Sequence, residues 1–237
     1  MKTTLAILLA LGAVVTIIAF TSPKLSTTEV SVFRDVTSQH LAQPDSGALL
    51  KFYDFSDNEW NGGIFRFTNI TDVSANPVIE VSIDPANKWL SSLPQRNQNI
   101  QKFEGQVEQI TTNAQQDTVG RWHSSIYLPI AREINRLSQS TANRRVLVVY
   151  SDLMENEPDF SFYSSSTFSL LQSNPEVVTK FFEQEQSLGQ LNGIEVYFIY
   201  QPDSTLSDQQ FNVVSGFYKN LLEAKGAKVT IEANLIL

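Results

Sequence analysis

The chain has 237 residues, of which 42% are hydrophobic and 18% charged, a composition typical of a globular protein with one sizeable core. Its formal net charge of −8 argues against non-specific nucleic-acid binding, because that binding needs a basic face. The absence of cysteine excludes disulfides, cysteine–zinc sites, thiol nucleophiles and a lipid anchor on an N-terminal cysteine.

The chain begins with an apolar segment, Leu5–Phe20, which follows Lys2. As a helix this segment would be about 24 Å long, shorter than the roughly 30 Å core of a bilayer. We therefore expect residues 1–21 to be either a cleaved signal peptide or an uncleaved membrane anchor, and residues 22–28 to be a linker. Either alternative predicts export, to the periplasm, to the extracellular space or on a single membrane anchor. Residues 29–237 are predicted to form one domain.

The first half of that domain contains three predicted strands. Val30–Val36 is the first, and a short helix within Leu41–Phe55 follows it, with Ser46 as its cap. The second and third strands are Ile64–Ile70 and Val78–Ile83. The gap between them is too short for a crossover helix, so they are expected to pair as an antiparallel hairpin.

Two helices are predicted next. Apolar residues at helical spacing favour a helix over Ile100–Thr112, and Trp89 and Leu90 are expected to anchor the irregular stretch before it to the core. The second helix lies within Ser124–Ser138. A proline in its first part is compatible with a start near Leu128.

The most informative stretch is the strand Val146–Tyr150, five consecutive apolar residues that predict a strand buried on both faces. Ser151 and Asp152 follow it directly. Helices and strands then alternate to the end of the chain: helices Phe168–Gln172 and Pro175–Gln186, strand Gly193–Tyr200, helix Leu206–Ala224 and strand Lys228–Ala233.

This order predicts a three-layer α/β fold of the Rossmann-like kind, with a mostly parallel twisted sheet, one antiparallel edge strand and helices on both faces. In such sheets ligands bind at the carboxyl ends of the strands, where the strand order reverses. The first and fourth strands should be neighbours at that point. Asp35 and Asp152, which end these two strands, are therefore expected to converge.

The residues at these strand ends resemble the von Willebrand factor type A (vWA) family. That family carries Asp-x-Ser-x-Ser after its first strand, and this chain has the sequence DVTSQ, in which Asp35 and Thr37 match while Gln39 replaces the second serine. The family's site threonine corresponds to Ser124, and its acid after the fourth strand corresponds to Asp152.

The resemblance implies a metal-ion-dependent adhesion site formed by these five residues. The metal would be Mg²⁺, with Mn²⁺ or Ca²⁺ as alternatives, because carboxylate, hydroxyl and amide oxygens suit hard cations. The expected function is protein binding in adhesion or in the assembly of an envelope complex, with membrane contact through the N-terminal segment if it stays uncleaved. The alternatives are a metal-dependent hydrolase using the same aspartates and a metal-free domain in which Asp35 and Asp152 cap loops and helix starts.

Other polar clusters are weaker candidates. His40 and His123 could bind zinc with one of the aspartates, but no helical His-x-x-x-His spacing supports that. The acidic cluster Glu155, Glu157 and Asp159 could help attract a cation, but it is more typical of a solvated loop. The aromatic loop after the fourth strand is expected either to pack on the core or to bind a partner; its aromatic residues are Phe160, Phe162, Tyr163 and Phe168.

Overall fold

The computed structural model describes residues 25–37, 42–71, 76–115 and 123–236. The described residues form six strands: β1 Thr27–Asp35, β2 Gly62–Ile70, β3 Ile79–Ile83, β4 Arg144–Tyr150, β5 Ile194–Ile199 and β6 Lys228–Glu232. The helices are α1 Ser46–Leu50, α2 Leu93–Gln115, α3 Tyr127–Ser138, α4 Ser165–Ser173, α5 Pro175–Glu185 and α6 Thr205–Glu223, and a 3-10 turn, Lys51–Tyr53, follows α1.

The strands form one sheet in the order β3-β2-β1-β4-β5-β6. All neighbouring strands are parallel except β2 and β3, which are antiparallel. This confirms the predicted α/β class and the antiparallel edge strand. It also places β1 beside β4, where the direction of strand addition reverses.

The sheet is buried between two apolar cores, which makes the fold three-layered. Leu147 and Val149 of β4 belong to the core beneath α3, α4, α5 and α6, whereas Val146 and Val148 belong to the core beneath α1 and α2. All four side chains have no solvent exposure. The prediction of a central strand buried on both faces is therefore confirmed.

Several local predictions were wrong. The side chain of Asp45, not that of Ser46, caps α1 by accepting backbone N–H groups. Trp89 and Leu90 do not anchor the chain to the core, because they are 73% and 86% exposed. They lie in a turn that closes on Asn87, and α2 begins directly after it, earlier than predicted.

The predicted leader, residues 1–21, lies outside the described residues. Among the residues that are described, none of the helices has the length and apolar character that a membrane crossing requires. The first strand begins slightly earlier than predicted, because β1 starts at Thr27 rather than Val30.

Candidate functional site

The candidate site lies at the carboxyl edge of the sheet, between β1 and β4. Asp35 is the last residue of β1, and Ser151 and Asp152 directly follow β4. Since Arg34 pairs with Tyr150 in the parallel register, Asp35 lies opposite Ser151. The Ser151 hydroxyl also donates to Asp35, so Asp152, the next residue, lies at the same edge of the sheet as Asp35. The register and this hydrogen bond confirm the predicted convergence of the two aspartates.

Asp35 is held by neutral donors on both carboxylate oxygens. Its Oδ1 accepts the Thr37 backbone N–H at 2.8 Å and the Thr37 hydroxyl at 2.5 Å. Its Oδ2 accepts the Ser151 hydroxyl at 2.9 Å. The Asp35 residue is only 1% exposed. Three hydrogen bonds therefore hold this buried carboxyl group, and the bond from Ser151 orients it towards the loop after β4.

A tight turn after β4 positions Asp152. Its Oδ1 accepts the Met154 backbone N–H at 2.9 Å, and the Ser151 hydroxyl accepts the Leu153 N–H at 2.9 Å. Leu153 has a φ of 61°, which is unusual for a residue with a side chain. Its side chain has no solvent exposure and packs in the core, so apolar burial offsets the backbone cost.

Two buried acids lie at this site, and the hydrogen bonds described above reach them only from hydroxyl and backbone N–H groups. Burial raises the pKa of Asp152 to about 7, and the negative charge of Asp35 adds to that shift. Burial also raises the pKa of Asp35, against hydrogen bonds from Thr37 and Ser151 and the charge of Arg34. Arg34 neighbours Asp35 along β1, so its side chain is on the other face of the sheet.

Of the other predicted ligands, Ser124 is buried near the loop that carries Asp152. Its hydroxyl donates to the Met154 carbonyl at 3.2 Å, and its backbone pairs with Asn156 in both directions. Gln39 lies outside the described residues, so its predicted role stays a prediction.

The zinc alternative gains no support. His123 is exposed, and His40 lies outside the described residues. Within the described ranges, no group of three or more histidines and acids could hold a metal ion. A metal at this edge would depend on two carboxylates together with hydroxyl oxygens.

Glu155 has a role that sequence reasoning missed. It is not in a solvated loop: it is 4% exposed, and its carboxylate accepts the backbone N–H groups of Ile126 at 3.0 Å and Tyr127 at 2.8 Å. It therefore caps α3 and fastens the loop after β4 to that helix. Burial raises its pKa to about 8, against those hydrogen bonds. No local pattern could reveal this, since the capped amides are 28 and 29 residues away.

Tyr163 joins the site to an open groove. Its hydroxyl donates to Asp152 Oδ2 at 3.2 Å, although the residue is 58% exposed. Beside it lies a groove of about 620 Å³ between α4 and α6, with Phe168, Leu206 and Val213 in its lining. Phe162 is fully buried beneath it. The alternative in which the aromatic loop packs on the core is confirmed for Phe162, whereas Tyr163 is exposed beside the site and partner binding by this loop stays a prediction.

Comparisons with known proteins give little beyond this geometry. No family model matches the sequence, and no curated protein matches it. Among solved structures, the chain is similar to the pilus adhesin SpaC from Lactobacillus rhamnosus GG in its open conformation, at 8% identity and a TM-score of 0.34. The match covers 86% of this chain and 30% of the adhesin chain. That similarity is too low to transfer any property of the adhesin. The sheet order and the helices on both faces are compatible with a vWA-like fold.

Proposed function

We propose that this chain is a vWA-like protein-binding module that uses the carboxyl edge of its sheet and a bound Mg²⁺ ion. The observation that carries the proposal is the buried pair Asp35 and Asp152, whose carboxylates receive hydrogen bonds only from hydroxyl and amide groups among the contacts described above. A buried pair of acids is costly without a cation, and a divalent ion supplies the missing positive charge.

The oxygens at the site fit a hard cation. An ionised carboxylate has about four acceptor positions, so the hydrogen bonds to Asp152 leave room for a further ligand bond. The Thr37 and Ser151 hydroxyls use their protons to hold Asp35, and the Ser151 oxygen also accepts the Leu153 N–H, so Thr37 keeps two lone pairs and Ser151 keeps one. Two carboxylates and two hydroxyls would hold Mg²⁺ without filling all six of its positions.

A bound ion would supply an open position for an acidic side chain of a partner protein. The groove beside Tyr163 extends the contact area, because it continues from Asp152 along α4 and α6. Its apolar lining with polar rim residues is typical of a surface that binds another protein. The partner is therefore proposed to present a carboxylate flanked by apolar side chains.

The edge of the sheet at which the chain enters β1 is compatible with a module tethered at its N-terminal end. Residues before Thr27 enter β1 from the amino edge of the sheet, which is opposite the site. If Leu5–Phe20 is a membrane anchor, the site faces away from the membrane. Adhesion, or assembly of an envelope complex outside the cytoplasm, is the proposed setting.

The metal is tested by thermal unfolding during a Mg²⁺ titration, because a ligand that binds only the folded state stabilises it by about 2.7 kcal/mol at a hundredfold excess over Kd. We expect the melting temperature of the wild type to rise and that of Asp35→Asn to stay constant. Glu223→Gln removes an exposed acid and should respond like the wild type. An unchanged wild type, or an equal rise in Asp35→Asn, would remove this metal site.

Partner binding needs a separate test. A photo-crosslinking residue in place of Tyr163 should form adducts that disappear when EDTA is added, whereas the same residue in place of Lys228, at the start of β6, should not. Adducts that are insensitive to EDTA would contradict Mg²⁺-dependent binding. Turnover of phosphoesters with Mg²⁺ would favour the hydrolase instead.

A further inference from the structure

The exposed apolar side chains of the described chain concentrate around the edge strand β3. Among the described residues nine large hydrophobic side chains are exposed, and five of them lie within residues 78–93. These five are Val78 at 46%, Ile79 at 50%, Trp89 at 73%, Leu90 at 86% and Leu93 at 47%. A cluster of this kind marks an interaction surface rather than scattered exposure.

The backbone of β3 is also available for pairing. β3 lies at one edge of the sheet, and its only partner among the described strands is β2. It lacks the lysine or proline that often blocks an edge, whereas β6 at the other edge begins with Lys228. The edge of β3 can therefore accept an additional strand through main-chain hydrogen bonds.

We propose that β3 pairs with β3 of a second copy of this chain, antiparallel, about a two-fold axis at Val81. This register places Ile79 opposite Ile83 of the second copy and Glu80 opposite its Ser82, so no like charges face each other. Glu80 is already paired with Arg66 on β2. The interface is isologous, as in most dimers of identical chains.

The two ends of β3 explain why the occupant is a second copy. At the start of β3, a groove of about 380 Å³ is lined by Phe67, Pro77, Ile79 and Ile110 among others. Beyond the end of β3, Leu90 projects into solvent. Antiparallel pairing brings the start of one strand to the end of the other.

Because Ile83 of the second copy lies opposite Ile79, the turn that follows Ile83, with Leu90, is placed on the side of this groove, and the same contact is repeated by symmetry. An unrelated extended peptide would cover the edge of β3 but would leave Trp89 and Leu90 in water. Pairing of two copies would bury Leu90 and the apolar groove beside Ile79, and the hydrophobic effect favours that burial.

The absence of cysteine makes a direct test available. In the full-length chain, Val81→Cys places one thiol at the proposed two-fold axis, where directly opposite residues have Cα atoms about 4.5–5.5 Å apart, within the span of a disulfide. Mild oxidation should give a covalent dimer on a non-reducing gel. Thr230→Cys, at a half-buried position on the other edge strand, should not.

A dimer in both variants, no dimer in Val81→Cys, or an adduct with a different protein would overturn the proposal. A second change tests the groove: Leu90→Glu in the Val81→Cys background should abolish the dimer, because a carboxylate replaces the apolar side chain. Leu206→Glu, an equivalent change at another exposed leucine, should leave the dimer intact. Persistence of the dimer with Leu90→Glu would contradict the proposed contact.

Discussion

Two pairs of buried acids lie on the same face of the sheet, and they differ in what neutralises them. Glu29 of β1 and Glu133 of α3 both accept hydrogen bonds from the Arg136 Nη2 atom, at 2.6 and 2.7 Å. At the carboxyl edge, Asp35 and Asp152 receive hydrogen bonds from hydroxyl and amide groups instead. Both arrangements use a residue of β1 and a residue far away in the sequence.

The difference appears in the pKa values. Burial by itself would raise the pKa of Glu133, but hydrogen bonds from Arg136 and Ser31 and the charges of Arg136 and Arg66 lower it below its ordinary value. Burial raises the pKa of Asp152 to about 7. The counter-charge, not burial, therefore decides the sign of the shift. The first pair is neutralised by an arginine of the chain, and the second is the pair for which we propose a bound cation.

The largest effect is expected from Asp152→Asn, which keeps the shape of the side chain and removes its charge. Because the folded pKa of about 7 lies above the unfolded value of about 3.9, the folded state binds this proton more tightly, and stability falls as the pH rises between those values. In metal-free buffer we expect the variant to exceed the wild type by about 2–4 kcal/mol at pH 8 and to match it near pH 4.

Urea unfolding at the two pH values measures this difference. Asp208→Asn, at an exposed acid in the first turn of α6, is the matched control and should not be more stable than the wild type at pH 8. A constant offset between Asp152→Asn and the wild type at both pH values would contradict the assignment.

Arg136→Met breaks the complete pair and leaves Glu29 and Glu133 buried without their shared cation. We expect a loss of about 2–3 kcal/mol in the free energy of unfolding at pH 7, less than for a fully buried pair because the Arg136 side chain is 36% exposed. Lys219→Met breaks an exposed ion pair and should cost less than about 0.5 kcal/mol. Equal losses in the two variants would show that the Arg136 ion pairs contribute no more to stability than an exposed ion pair does.

Glu155→Ala sharpens the comparison with a third buried acid, which is satisfied by backbone amides alone. Removing the carboxyl group leaves the first N–H groups of α3 without an acceptor, so we expect a loss of about 1–2 kcal/mol at pH 6 in urea unfolding. Asp208→Ala, at an exposed helix start, is the matched control and should lose less than about 1 kcal/mol. If both losses are the same, burial of Glu155 adds nothing to its capping role.

Tyr163→Phe should have the smallest effect on stability. It removes one hydrogen bond to Asp152 from a partly exposed ring, which is expected to cost less than about 1 kcal/mol. It also frees Asp152 Oδ2, so the variant should bind Mg²⁺ at least as tightly as the wild type in a calorimetric titration. Weaker Mg²⁺ binding would show that the Tyr163 hydroxyl supports the site instead of covering it.

Part of the site was accessible from sequence because it depends on strand pairing. Asp35 and Asp152 could be placed together once β1 and β4 were predicted to be neighbours. Ser151 could have been included, since the register puts it opposite Asp35. Tyr163 was recognised only as part of an aromatic loop, because nothing in its local pattern indicates that its hydroxyl reaches Asp152.

The sequence alone determined the order of the elements, the doubly buried strand β4 and the antiparallel edge strand β3, because these follow from short-range periodicity and from the length of connections. Only the tertiary structure decided that Glu155 caps α3, that Arg136 neutralises Glu29, and that Leu90 is left in solvent. Glu29 and Arg136 are 107 residues apart. Burial and counter-charge depend on which distant side chains become neighbours, and no local pattern contains that information.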